Sequence, residues 1–163
     1  MTILLVVLLL LALPGGELQG NGQAGAVAPG PDFSGKWINE SASPAGTSVR
    51  SQWSSPVTIT QDARTITIEY VSYSRSHASV KLVYNLDGSV SKGIDCNSGP
   101  SDLVLRAEWR DRRLRLSTTY LRANYGNMEI IEVLALDSPA TMTIDITRKV
   151  GDQTLVGSSR WRR

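Results

Sequence analysis

The residue types that most often carry out chemistry are scarce in this chain. Its 163 residues include one histidine, His77, and one cysteine, Cys96. His77 lies in Ser74-Arg75-Ser76-His77-Ala78-Ser79, the composition of a solvated hairpin tip. Cys96 sits in a Gly/Ser/Asn-rich stretch beside Asp95, and a neighbouring carboxylate holds a thiol in its unreactive protonated form. A zinc site built on one histidine and one cysteine needs carboxylates as the remaining ligands, and the sequence gathers no such cluster. It contains no Gly-x-Ser-x-Gly elbow, phosphate-binding loop or dinucleotide fingerprint. Neither an enzyme nor a resident metal or cofactor is expected. A lone cysteine also excludes an intrachain disulfide.

What remains is charge and aromatic patterning. Arg106, Arg110, Arg112, Arg113 and Arg115 cluster, with Arg160, Arg162 and Arg163 further on. Such a run is ordinarily a solvated outer face. Guanidinium forks also bind phosphate, so weak contact of Arg106, Arg110, Arg113 and Arg115 with an anionic surface is the sharper expectation. The formal net charge of +2 is too small to suggest nucleic acid. The second pattern is Tyr70, Tyr84, Trp109, Thr118 and Tyr120, all on the apolar side of alternating segments. Glu132 joins them if Met128, Ile130, Leu134 and Leu136 mark an inner face, although Ile131, Val133 and Ala135 are apolar as well. A buried Glu132 requires a partner such as a tyrosine hydroxyl or an arginine.

The elements that must position these residues are strands. From Phe33 onward the chain alternates apolar and polar residues with period two and lacks capped helical segments. Strands are expected at Phe33–Asn39, Gln52–Gln61, Thr65–Ser72 and Ser79–Leu86. A polar loop, Ser91–Asp102, follows, and then strands at Leu103–Arg110, Leu114–Tyr120, Met128–Leu136, Thr141–Lys149 and Thr154–Trp161. Pro56 suggests an edge or bulge near the start of its run. A turn at Asp111-Arg112 places Trp109 opposite Leu114, Ala107 opposite Leu116 and Leu105 opposite Thr118, all inward. Glu108 then faces Arg115 outside. An open meander of about eight to nine strands exposes two edges, and closure removes them. The first strand is therefore expected to pair with the last, with Gly35 giving room for close approach and Trp37 plugging the core. Outer charges such as Arg106, Glu108 and Asp145 favour a soluble barrel over one embedded in lipid.

Ahead of this domain, Ile3–Leu13 is an unbroken apolar run. It is shorter than the ~20 residues of a membrane span and suits a secretory signal peptide. Ala24-Gly25-Ala26 and Ala26-Val27-Ala28 are candidate cleavage motifs, although no Lys or Arg precedes the run. The expected organisation is a signal peptide and cleavage region over 1–28, a linker over 29–32 and a barrel over 33–163. The mature protein is then secreted or periplasmic, monomeric and without a transmembrane segment.

Asp32-Phe33-Ser34-Gly35-Lys36-Trp37, opening a β-meander after a leader, resembles the G-x-W signature of lipocalins. Together with Tyr84–Gly88 and the Arg160–Arg163 ending, it more closely resembles a group of small secreted bacterial lipocalin-like barrels. The resemblance spans nearly all of the mature chain. It departs from true lipocalins in lacking a helix after the barrel and their usual disulfide. It implies an all-β, single up-and-down antiparallel barrel that binds a small apolar or amphipathic ligand, with no catalytic residues to carry over. Tyr70, Tyr84, Trp109, Thr118, Tyr120 and Glu132 would line that site, under a lid formed by Glu40–Val49; the other reading of the same inner face is an ordinary packed core, since eight-stranded barrels can fill their own interior. The alternative is a loop-mediated protein-binding module, such as a small barrel inhibitor of an enzyme, acting through loops like Ser91–Asp102.

Overall fold

The computed structural model describes residues 30–40, 49–72, 78–94, 102–121 and 127–163. The predicted leader, most of the Glu40–Val49 loop, His77 and Cys96 lie outside these residues. The described chain is all-β. It forms one antiparallel sheet of ten strands: β1 (Gly35–Asn39), β2 (Val57–Gln61), β3 (Thr65–Val71), β4 (Ser79–Asn85), β5 (Ser91–Ile94), β6 (Asp102–Arg110), β7 (Arg113–Leu121), β8 (Met128–Ser138), β9 (Thr141–Val150) and β10 (Gln153–Arg162).

Alternation explains the strands. In β3, Ile66, Ile68 and Tyr70 are buried while Thr65, Thr67 and Glu69 stand on the other side. In β9, Met142, Ile144 and Ile146 point inward. The spatial order is β4-β3-β2-β1-β10-β9-β8-β7-β6-β5, so the first strand does meet the last, through Ile38 with Arg162 and Asn39 with Trp161. The two ends of this order, β4 and β5, are consecutive in the chain. The connection between them all but closes the barrel, and the Ser91 hydroxyl donates across it to the Val83 carbonyl at 2.5 Å.

The β6–β7 hairpin has the predicted register, from Trp109 opposite Leu114 to Leu105 opposite Thr118. Its two-residue turn contains no glycine, and Asp111 adopts the left-handed conformation instead, with φ 57°. Two strand predictions need correction. The second strand begins at Val57 rather than Gln52, because residues 52–56 leave the sheet. The Ser91–Asp102 stretch is not all loop: Ser91–Ile94 pairs with Asp102–Leu105.

The tight turns β2–β3, β4–β5, β6–β7 and β8–β9 lie at one end of the barrel, together with residues 30–34. Strands β1, β3, β5, β7 and β9 run out to the other, loop-side end. At the turn end, fully buried Trp37 donates its indole N–H to the Phe33 carbonyl at 2.9 Å. Phe33 stacks on Trp109 with ring centroids 6.1 Å apart. The room left at Gly35, where φ is +143°, is taken by a side chain rather than by a neighbouring backbone. A Cβ there would meet Arg163 Nε at 2.8 Å, and the Arg163 guanidinium lies 4.8 Å over the Trp37 ring.

The outer face of β6–β9 is a mixed-charge surface. Arg110 and Arg115 pair with Glu108 at 3.1 and 4.0 Å, Arg113 with Asp145 at 3.8 Å, and Lys149 with Glu129 at 3.0 Å. Much of the arginine cluster is therefore matched by neighbouring carboxylates.

Candidate functional site

The site lies inside the loop-side half of the barrel. Glu132 sits in the middle of β8, flanked across the sheet by Leu116 and Ile146. Its neighbours Ile130 and Leu134 are buried on the same side, so its carboxylate enters an apolar interior and is 0 % exposed. The choice of inner face that the sequence left open is thus settled for Glu132, Ile130 and Leu134. Burial of a carboxylate costs several kcal/mol unless hydrogen bonds replace its water.

Those bonds come from a segment that belongs to no strand. Residues 49–53, between β1 and β2, turn into the barrel. The Ser51 hydroxyl donates to Glu132 Oε1 at 2.5 Å, and the Gln52 backbone N–H to the same oxygen at 3.1 Å. The Gln52 side-chain amide donates to Glu132 Oε2 at 3.0 Å and to Thr118 Oγ1 at 2.9 Å. Its carbonyl accepts from the Tyr120 hydroxyl at 2.8 Å. Thr118, fully buried, also shares a 2.7 Å hydrogen bond with the Tyr84 hydroxyl.

Burial raises the Glu132 pKa above the ordinary carboxylate value; the bonds from Ser51 and Gln52, and the field of Arg148, oppose it. Among the described residues no cation pairs with Glu132 directly. Tyr84 is held well above the usual tyrosine range, first by burial and then by the Glu132 charge. Tyr84 therefore takes part in the cluster as a neutral phenol.

Neighbouring contacts seat the segment. Buried Val49 lies against Gly157 of β10, and a Cβ on Gly157 would meet the Val49 carbonyl oxygen at 2.4 Å. Only glycine leaves space for this backbone crossing. Trp53 is buried edge-on to Trp161, with centroids 6.2 Å apart. Two donors stay unmatched among the described residues: Trp53 Nε1 and Arg148 Nε are both buried without a partner.

Of the six residues expected to line a ligand site, the fold brings Tyr84, Thr118, Tyr120 and Glu132 into one network. Tyr70 faces the same interior from β3 and adds to the field at Tyr84. Trp109 does not join them. It lies four residues along β6 from Leu105, the partner of Thr118, about 13 Å toward the turn end, where it packs on Phe33. Sequence reasoning missed Ser51, Gln52, Trp53 and Gly157. Gln52 and Trp53 read as the start of a strand, and the one available warning was Pro56, which cannot donate to a ladder. The lid expected at Glu40–Val49 lies almost entirely outside the described residues; residues 49–53, which follow it, enter the barrel.

No protein-family model matches the chain, and comparison with the curated proteins finds no match.

Proposed function

We propose that this protein is an exported, non-enzymatic lipocalin-like barrel that binds a small, largely apolar molecule in its loop-side interior. The observation that carries this reading is Glu132: a fully buried carboxylate on a strand whose hydrogen-bond donors sit on a segment that belongs to no strand. A barrel filled only for stability has no need of that charge, since apolar residues of similar volume are often as stabilising or more so. A binding site does need it: an apolar wall with a few convergent polar groups is the usual composition of a small-molecule site. The charged outer face of β6–β9 fits a barrel surrounded by water.

The test is native mass spectrometry of residues 29–163 purified from the compartment into which the chain is exported. A reproducible extra mass that disappears on denaturation is expected. A bare mass, unchanged after incubation with lipid and metabolite extracts, overturns the reading.

One observation favours the second reading, a loop-mediated protein-binding module. The tip of the β9–β10 hairpin is exposed, with Val156 at 69 % and Leu155 at 48 %, residues of opposite parity on β10. If Val156→Asp abolishes a partner's binding while the mass spectrum stays bare, function belongs to this hairpin and not to the interior.

A further inference from the structure

Gln52 is bound as a ligand would be. Its primary carboxamide makes three hydrogen bonds, and none comes from its own segment. The NH2 group finds two acceptors, Thr118 Oγ1 at 2.9 Å and Glu132 Oε2 at 3.0 Å. The carbonyl finds one donor, the Tyr120 hydroxyl at 2.8 Å. All three partners are inward side chains of two adjacent, fully paired strands, β7 and β8. Thr118 is braced from behind by the Tyr84 hydroxyl at 2.7 Å. The receptor half is therefore built into the sheet, whereas the occupant half is not. Residues 49–53 belong to no strand, and their crossing over β10 depends on the missing Cβ of Gly157.

The seated arrangement is also incompletely satisfied. Trp53 is only 4 % exposed, yet its indole N–H has no partner, and neither does buried Arg148 Nε. Each unmatched buried donor disfavours this arrangement relative to one that releases it to water or to an acceptor.

From this geometry we infer that Thr118, Tyr120 and Glu132 form a receptor for a primary amide edge. The ligand is a neutral molecule with an NH2 donor beside a carbonyl acceptor, on an apolar or aromatic body, and it binds by displacing the Gln52 side chain, while the Ser51 hydroxyl and the Gln52 backbone N–H stay on Glu132 Oε1. This rests on the interior-binding reading above and adds the class of ligand. A carboxylate ligand lacks the two donors and would meet the charge of Glu132. A purely apolar one leaves Thr118, Tyr120 and Glu132 unpaired in the interior, and buried polar groups left unpaired are what make such sites selective. The tethered Gln52 competes with any external amide, so affinity is reduced by the fraction of time that it is seated.

Benzamide, benzoate and toluene are titrated into the full exported chain, with binding followed by calorimetry and by the Trp53 indole signal in a two-dimensional NMR spectrum. Benzamide is expected to bind about tenfold or more tightly than benzoate or toluene and to shift the Trp53 signal as the neighbouring Gln52 side chain is displaced. Gln52→Ala removes the competitor and keeps the receptor, and should tighten benzamide binding by about tenfold. Gly157→Ala unseats the segment from outside the receptor and should act in the same direction, which keeps the test decisive if Gln52→Ala does not fold. Thr118→Val should erase the preference for the amide. If toluene binds as well as benzamide, the amide receptor is overturned while interior binding stands. If none of the three binds to the wild type or to either opened variant, the amide receptor falls, and the native mass spectrum decides the broader reading separately.

Discussion

At the scale of single residues, Glu132 links stability to pH in a direction opposite to most carboxylates. Burial raises its pKa in the folded chain above the unfolded value. Its contribution is then most favourable below the unfolded pKa, about 4.3, and is lost as pH rises through the raised folded value. Asp32, Asp62 and Asp87 act in the opposite sense. Their pKa values are lowered by hydrogen bonds within their own turns, so their contributions are lost as pH falls. The clean comparison is therefore wild type against Glu132→Gln. The urea midpoint of the wild type should rise relative to the variant on acidification from neutral pH, and parallel pH profiles would show that Glu132 titrates as an ordinary carboxylate. Thr118→Val keeps the shape of the side chain but leaves the Tyr84 hydroxyl and the Gln52 amide each short of a partner. A loss of about 1–3 kcal/mol in denaturant unfolding is expected.

At the scale of elements, the segment 49–53 enters the described interior without a sheet ladder. It is anchored by side-chain hydrogen bonds and by the crossing at Gly157 rather than by a ladder. Gly157→Ala places a methyl 2.4 Å from the Val49 carbonyl oxygen, so the segment must move. Limited digestion with trypsin should then cut after exposed Arg50 faster than in the wild type, while β10, still paired along β9, stays protected. Unchanged cleavage would mean that the crossing adapts without releasing the segment. The β6–β7 turn offers a gain instead. Asp111→Gly relieves a positive φ at an exposed position and should raise the melting temperature by the equivalent of about 0.5–1 kcal/mol.

At the scale of the whole molecule, the barrel is two ribbons. One runs β1 to β4 and the other β5 to β10. The register between them at β1 and β10 is short, Ile38 with Arg162 and Asn39 with Trp161. What unites the ribbons is the shared interior, in which Trp161 and Trp37 are both fully buried. Trp161→Ala should therefore cost about 3–5 kcal/mol. The wild type should unfold in one transition, with tryptophan fluorescence and far-ultraviolet circular dichroism coincident. Separate transitions would show that the ribbons hold together independently.

The sequence by itself determined what depends on neighbours along a strand. Period-two alternation specifies which side of Thr65–Val71 or Arg113–Leu121 faces inward, and a one-residue slip would turn every apolar side chain outward, so the register of the β6–β7 hairpin was readable to the residue. Closure followed from the cost of exposed edges, and it set Phe33–Asn39 beside the last strand. The inward placement of Tyr84, Thr118 and Tyr120 followed from parity alone. The tertiary structure decided what depends on residues far apart in the chain. Glu132 has apolar neighbours on both parities, so its burial became definite only when residues 51 and 52, some eighty positions away, supplied the donors that make a buried carboxylate tolerable. Gln52 alternates like a strand residue and left the sheet because that carboxylate holds it. Gly157 reads as a weak point in a strand, and its purpose is visible only where Val49 crosses it. Local pattern carries no term for a long-range hydrogen bond or for a backbone passing at close range, and the candidate site is built from both.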